Sequence, residues 1–450
     1  MGELLIKNGL VVTMDRDRHI YRNGSIRVED TRIAEIGQAK DVRAKTPDCE
    51  VIDASGQIVM PGFVSCHNHL YSAVVRSIPY AGFADADFSF IAWMEQFWLP
   101  LLEDRVTQEQ MYIGTLANCL EHIRSGITTT TDTAEGSYAL PGALEYVDRG
   151  ATESGIRAML SFETTGRISP ENAQLGLEEN IKFFLKAKER GSRVDGRLGV
   201  HTTFTCSTEL LQQVRAEATR LGSGLMMHMA DDRYHVFDTT RRFGKRPMRY
   251  LEDIGFLGPD LILFHCSYID PIRDPAIFKE HDVKVAHNAE SNAIFGFWPN
   301  MMPLLQADVT VGLGTDGQTH SMFEIMRTAQ MIHRIRYEDL ELLPDDQVLA
   351  MATIEGAKCL LKENDIGSLD VGKKADMVLL NNRSTVPVFD ANVVNYVVGT
   401  CERTDVDTVV IDGQVILRHG EFVDVDEEQA LAHCREQAVE LWRRNDWPLP

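Results

Sequence analysis

The sequence predicts an α/β protein: a closed (β/α)8 TIM barrel with a small β-sandwich built from both chain ends. In the middle of the chain, short apolar runs alternate with helical segments, which indicates a parallel sheet. At both ends, short strand-like runs are separated by Gly, Asn and Asp, which is typical of antiparallel structure with tight turns. The 450 residues are enough for a large barrel and one further unit.

Eight apolar runs carry the prediction of the barrel, because a (β/α)8 fold needs eight parallel strands with helices between them. Helical composition fills the intervals, for example at residues 104–126 and 207–222. A doubly wound open sheet has the same alternation, so the pattern alone leaves that architecture open. The predicted strands are 62–69, 127–133, 157–164, 198–203, 224–231, 261–269, 284–291 and 309–317.

The change of pattern along the chain predicts the domain organisation. The acidic first turn and helical periodicity of the last segment indicate a C-terminal helix. The predicted units are 1–58 (first part of the β-sandwich), 59–365 (the barrel), 366–425 (second part of the β-sandwich) and 426–450 (C-terminal helix and tail).

Charge and cysteine content narrow the classes of partner. Lys and Arg total 45 against 67 Asp and Glu, a formal net charge of −22. This balance argues against nucleic acid and anionic membranes as partners, since both need a basic surface. Eight cysteines without a CxxC pair suggest reduced thiols, and the N-terminus has no signal-peptide pattern. We therefore expect a cytoplasmic protein whose partner is a small molecule.

Histidines and one aspartate stand where the predicted strands end. In the segment VSCHNHLYS (64–72), His67 and His69 alternate with Asn68 and so project to the same face of an extended chain. The carboxyl ends of barrel strands form the active face, so several such residues are expected to converge there. Those in the later strands are His201, His228, His265, His287 and Asp316.

Two histidines of the first strand, His228 and Asp316 form a set of three imidazoles and one carboxylate. Such a set suits one divalent ion, with zinc favoured and iron, manganese or cobalt as alternatives. Three or four protein ligands leave a position for water, which is typical of a catalytic site. A bound ion lowers the pKa of that water from its much higher value in bulk to about 7, so hydroxide becomes available at neutral pH.

Further residues are candidates for moving protons and binding substrate. Asp316 can take the water proton, and His265 can either ligate the metal or hydrogen-bond the nucleophile. Asp231, three residues after His228, can carry a proton to the leaving group. His201 and Gln318 can contact substrate, although His201 and His287 can equally be hydrogen-bonded rim residues. The aromatic segment 77–100 includes Trp93, which we expect to form an apolar wall or to lie in the core.

These motifs resemble the amidohydrolase superfamily, and within it the mononuclear-metal branch of S-adenosylhomocysteine and methylthioadenosine deaminases, guanine deaminase and atrazine chlorohydrolase. The resemblance spans nearly the whole chain and includes VMPGFVSCHNHL, VHTTFTCS, MMHMADD, LFHCSYID and VGLGTDG. It implies His67, His69, His228 and Asp316 as metal ligands and His265 as the residue beside the metal. It implies one metal, since His201 stands where binuclear members carry a lysine, and a homodimer or larger homo-oligomer.

The resemblance implies a metal-dependent hydrolase in which hydroxide deaminates an N-heterocycle such as a purine, pterin or triazine. Asp231 departs from it, since the related deaminases usually carry the longer Glu at this position. Hydrolytic dechlorination, or C–N or C–S cleavage of a triazine, urea, carbamate or cyclic amide, therefore stays open as an alternative. A non-catalytic scaffold is a further alternative, disfavoured because every ligand position is filled.

Overall fold

Eight parallel strands form a nearly closed barrel in the computed structural model. The structure describes residues 2–78 and 90–445. The eight strands follow chain order, each paired with the next, which confirms the predicted fold class. A further short strand, Val194–Gly196, pairs with the third. The barrel strands are β1 (Phe63–Ser65), β2 (Ile127–Ala134), β3 (Arg157–Thr164), β4 (Leu198–Val200), β5 (Leu225–Met229), β6 (Leu261–His265), β7 (Lys284–His287) and β8 (Val311–Leu313).

Backbone hydrogen bonds join the last barrel strand to the first. The amide of Cys66 donates to the carbonyl of Leu313 over 2.8 Å, and the amide of Thr315 donates to the carbonyl of His67 over 3.0 Å. These bonds bring the segments that follow β1 and β8 side by side. The alternative of an open, doubly wound sheet is therefore wrong.

Six of the eight barrel strands are shorter than the predicted runs, because the chain leaves the extended conformation where the polar residues begin, whereas β2 and β3 span their predicted runs. His265 and Asp316 have φ angles of 65° and 55°, in the left-handed region that side chains other than Gly seldom adopt. The apolar parts were recognisable because strands covered on both faces read as continuous hydrophobic runs. β5 and β6 are buried along their whole lengths.

The two chain ends form a separate mixed sheet, which fits the predicted small β-sandwich. The strand Gln57–Pro61 pairs antiparallel with Met377–Asn381 and so joins the N-terminal part to the C-terminal part. Leu4, Ile26 and Val410 lie in the apolar cluster of this sheet. The strands are Glu3–Val12, Ile20–Glu29, Arg32–Gln38, Glu50–Asp53, Gln57–Pro61, Met377–Asn381, Val406–Ile411, Gln414–Arg418 and Glu421–Phe422.

Helices cover the outside of the barrel, and the last one, Glu427–Arg444, packs against Gln108–Arg124. None of the helices in the described parts of the chain combines the length and apolar character that crossing a bilayer requires. All eight cysteines are free thiols. The α-helices are Phe90–Trp93, Gln108–Arg124, Ala143–Ser154, Pro170–Arg190, Thr208–Leu221, Arg233–Phe243, Pro247–Asp253, Asp274–Glu280, Ala289–Ile294, Met302–Gln306, Met322–Tyr337, Asp345–Met351, Ile354–Cys359, Val393–Gly399 and Glu427–Arg444.

The aromatic segment 77–100 is only partly described, because residues 79–89 lie outside the described ranges. Its second half forms the short helix Phe90–Trp93, which continues as a π-helix over Met94–Leu102. Trp93 and Trp98 are stacked with ring centroids 5.2 Å apart. Trp93 is buried, and it also lines a cavity at the carboxyl ends of the barrel strands.

Candidate metal centre and active site

The four predicted metal ligands meet at the carboxyl ends of β1, β5 and β8. Potential ligand atoms of His67, His69 and His228 all lie within 4.8 Å of one another. Oδ1 of Asp316 is 3.8 Å from Nε2 of His67 and 3.6 Å from Nε2 of His69. All four side chains are buried. The structure thus brings together, around one point, residues that are up to 249 positions apart (316 − 67).

His265 completes the group from the end of β6. Its Nε2 lies 3.6 Å from Oδ2 of Asp316, and its ring centroid is 5.5 Å from that of His228. The other ring nitrogen, Nδ1, is 3.1 Å from the side-chain amide Nδ2 of Asn292. In this arrangement the amide donates to Nδ1, so the ring proton sits on Nε2 and can be donated towards Asp316.

Hydrogen bonds from the protein fix the orientation of the cluster. The hydroxyl of Ser291 donates to Oδ2 of Asp316 over 2.7 Å, and the amide of Gly317 donates to Oδ1 over 2.6 Å. Nδ1 of His69 bonds the carbonyl of Thr133 over 2.9 Å, which leaves its Nε2 facing Asp316. Ligand groups tied down in this way need little reorganisation when they bind or react.

The protonation states suit a cation. Burial lowers the pKa of His228 and of His265 to about 4 and lowers that of His67 well below its ordinary value, so these rings are neutral at pH 7. Burial acts the same way on His69, but Glu135 and Asp316 outweigh it and raise its pKa to about 9. The carboxylates therefore stabilise positive charge at the centre of the cluster. Both nitrogens of His67 are buried without a hydrogen-bond partner, as expected of a ligand.

Two carboxylates that sequence reasoning missed lie behind the ligands. Oε1 of Glu163, in β3, is 2.9 Å from Nδ1 of His228, and Oε1 of Glu135 is 3.6 Å from Nδ1 of His69. Tyr71 donates its hydroxyl to Glu135. Burial raises the pKa of Glu163 to about 8. A signal was present in the sequence, since both residues stand at the carboxyl ends of predicted strands.

The cluster opens into a cavity at the carboxyl ends of the barrel strands. The predicted substrate contacts Trp93, His201 and Gln318 all line it, and so does Asp231. Aromatic rings form one wall: Phe295 lies 5.2 Å from Trp93 and 5.4 Å from Phe90, centroid to centroid. A wall of this kind suits a flat ring system.

Three other residues near the strand ends are buried and lie outside the residues that line the cavity. His287 is fully buried and packs edge-on against His333, outside the residues that line the cavity. Cys66 and Cys266, which neighbour His67 and His265, lie in apolar clusters. Both thiols are fully buried, and neither lines the cavity.

Comparison with known proteins agrees with this geometry. Residues 58–416 match the amidohydrolase family. A 5'-deoxyadenosine deaminase of Methanosarcina acetivorans is 35% identical over 456 aligned residues, covering 99% of each chain. A 5-methylthioadenosine/S-adenosylhomocysteine deaminase of Pelotomaculum thermopropionicum is 33% identical over 99% of this chain and 100% of its own.

Solved structures share the fold at lower identity. A zinc-bound adenosine deaminase of Xanthomonas campestris superposes with a TM-score of 0.86 at 23% identity, covering 98% of this chain and 99% of its own. An atrazine chlorohydrolase of Arthrobacter aurescens complexed with zinc has a TM-score of 0.83 at 21% identity, covering 97% and 100%.

The chain belongs to the amidohydrolase family. This confirms the resemblance read from the motifs and the predicted class of enzyme, a hydrolase acting on C–N bonds.

Proposed function

We propose that the chain is a metal-dependent deaminase that replaces an amino group on a flat N-heterocycle by oxygen and releases ammonia. The observation that carries this proposal is the convergence of His67, His69, His228 and Asp316 at the base of an aromatic-walled cavity. The names of the relatives that match over the full length, deaminases of 5'-deoxyadenosine and of methylthioadenosine, support an adenosine-like substrate.

The same four side chains would hold one divalent cation, for which zinc is our proposal. Three buried imidazoles and a carboxylate are a donor set that fits zinc, and two structures of the same fold carry zinc. A cation held there supplies Lewis acidity, which makes hydroxide available from water at neutral pH. Iron, manganese and cobalt accept the same donors and remain the alternatives.

The chain's own residues would then direct the attack. His265 donates from Nε2 and orients the attacking oxygen, while Asp316, fixed by Ser291, accepts the proton that the water loses. Asp231, on the cavity wall, carries a proton to the leaving nitrogen. The heterocycle lies between the aromatic wall, which includes Trp93, and His201. Gln318 offers its side-chain amide to the polar edge of the heterocycle.

A second reaction uses the same residues on a different bond. Loss of chloride, or of a thiol or amine from a triazine, urea, carbamate or cyclic amide, needs the same attack but less proton donation. The short side chain of Asp231 favours keeping this candidate. A structural neighbour of the chain, the atrazine chlorohydrolase, is named for dechlorination, but at 21% identity this likeness supports the fold alone.

A panel of substrates tests the proposal. Metal-loaded protein should release ammonia from 5'-deoxyadenosine, 5'-methylthioadenosine or another aminopurine, aminopterin or aminotriazine. Chloride and methylamine release from substituted triazines are measured alongside. Ammonia release supports deamination, chloride or amine release alone supports the second reaction, and no product from any compound contradicts both. A cytoplasmic location and a homodimer or larger assembly remain predictions.

A further inference from the structure

Asp231 has a close partner that the metal cluster does not use. Nδ1 of His235 lies 2.5 Å from Oδ1 of Asp231, one turn into the helix Arg233–Phe243. Both side chains are buried, but only Asp231 is among the residues that line the cavity. His235 therefore stands behind Asp231, on the side away from the substrate.

The local backbone holds this pair in place. Asp232 caps the helix: its Oδ1 accepts from the amide of His235 over 3.0 Å, while the amide of Asp232 donates to Oδ1 of Asp231 over 3.0 Å. The ring of Phe204 covers His235 with centroids 4.5 Å apart. The pair is thus rigid and shielded from water, which strengthens its electrostatic interaction.

The charges around His235 favour its imidazolium form. Three carboxylates face the ring from the same helix and the two residues before it: Asp231, Asp232 and Asp238. His201 faces it from the end of β4. Burial lowers the pKa of His235, but the three carboxylates outweigh this and raise it. Burial raises the pKa of Asp231, but His235 reverses this and brings it well below the ordinary value. With the proton held on His235, Asp231 alone is a poor proton donor at neutral pH.

We propose that His235 is a positioning residue that holds a proton for Asp231, so that the two act together as an Asp–His pair serving the leaving group. The proposal rests on the proposed deaminase function. It adds His235, which is neither a predicted site residue nor part of the cavity lining. His235 acts through Asp231 and does not itself touch the substrate.

The proton balance of the reaction is simple in this scheme. Water adds to the ring carbon that bears the amino group: the C–O bond forms and one proton of the water goes to the neighbouring ring nitrogen. The bond to the amino group then breaks, and the leaving nitrogen needs a further proton to depart as ammonia. The Nδ1 proton of His235 passes to the carboxylate of Asp231, and from there to the leaving nitrogen. A proton released by the attacking water then returns the pair to its starting state, so no other reactant is needed.

The test compares His235→Gln with His281→Gln as a matched control. Gln keeps a hydrogen-bond donor for Asp231 but has no acidic proton to give. His281 is a suitable control because it lies away from the site, where its Nε2 is 3.4 Å from Oε1 of Glu252. With H235Q we expect kcat for ammonia release to fall about 100-fold, a KM within about threefold, and a changed pH profile of kcat. H281Q should match the parent enzyme. Unchanged kcat and pH profile in H235Q would overturn the proposal while leaving the deaminase function intact.

A second measurement does not depend on activity. In protein labelled with ¹⁵N-histidine, the signal of His235, assigned by its loss in H235Q or by its response to Asp231→Asn, reports ring protonation. We expect His235 to titrate at a higher pH than an ordinary histidine and its titration to move down in D231N, because the variant removes the carboxylate charge beside the ring. A ring in the parent protein that titrates no higher than an ordinary histidine would refute the pair, whether or not the panel yields ammonia.

Discussion

Glu163 and His228 are in contact across the back of the ligand cluster, with 2.9 Å between Oε1 and Nδ1. The carboxylate takes up one side of the imidazole and leaves Nε2 as the nitrogen available to a metal. A carboxyl group in this position fixes the orientation of the imidazole and raises the basicity of the ring. Glu163 is therefore part of the site although it is not itself one of the four proposed metal ligands.

Replacing Glu163 by Gln should weaken metal binding without unfolding the barrel. The variant keeps the size of the side chain and replaces the carboxyl group that faces His228 by an amide. Loss of a partner behind a ligand lowers metal affinity by about 10- to 100-fold. Competition with a chromogenic chelator measures this. Glu153→Gln is the control, since Glu153 accepts from the hydroxyl of Tyr112 far from the cluster, and an E163Q variant with parental affinity would contradict this role.

Asp231→Asn separates the two candidate reactions. If the leaving group is an amine, kcat should fall about 100-fold or more while KM changes little, because the variant cannot deliver a proton. Steady-state kinetics on the best substrate of the panel give both constants. A loss of less than about fivefold would instead favour a leaving group, such as chloride, that departs unaided.

Ser291→Ala tests the hydrogen bond that fixes Asp316. Hydrogen bonds to charged groups contribute about 1.5–3 kcal/mol, so kcat/KM should fall by roughly 10- to 100-fold if the whole contribution is used in the transition state. Metal content, read by atomic emission, should stay near one ion per chain. A variant with full kcat/KM would show that Asp316 is oriented well enough by Gly317 alone.

Phe295→Ala tests the aromatic wall. Removing a ring that packs on Phe90 and Trp93 should cost about 1 kcal/mol of substrate stacking and raise KM several-fold, with a smaller change in kcat. Phe389→Ala, at a half-exposed ring distant from the cavity, is the control. If F295A leaves KM unchanged, the substrate does not lie against this wall.

The parts of the site that the sequence predicted share a simple signal, a polar residue that ends an apolar run. His67, His228 and Asp316 carry it, and the strands β1, β5 and β8 place them on one rim. Glu163 and Asn292 were not predicted, because their roles depend on contacts in the folded protein, with His228 and with His265 respectively. Strand register and the left-handed turns at His265 and Asp316 set those distances, and neither can be read from spacing along the chain.

The account depends most directly on a cation at His67, His69, His228 and Asp316. The decisive measurement is ammonia release by the purified protein before chelation, after removal of all metal, and after zinc is added back. We predict that activity disappears with the metal and returns with about one equivalent of zinc. Full turnover by metal-free protein would contradict the account.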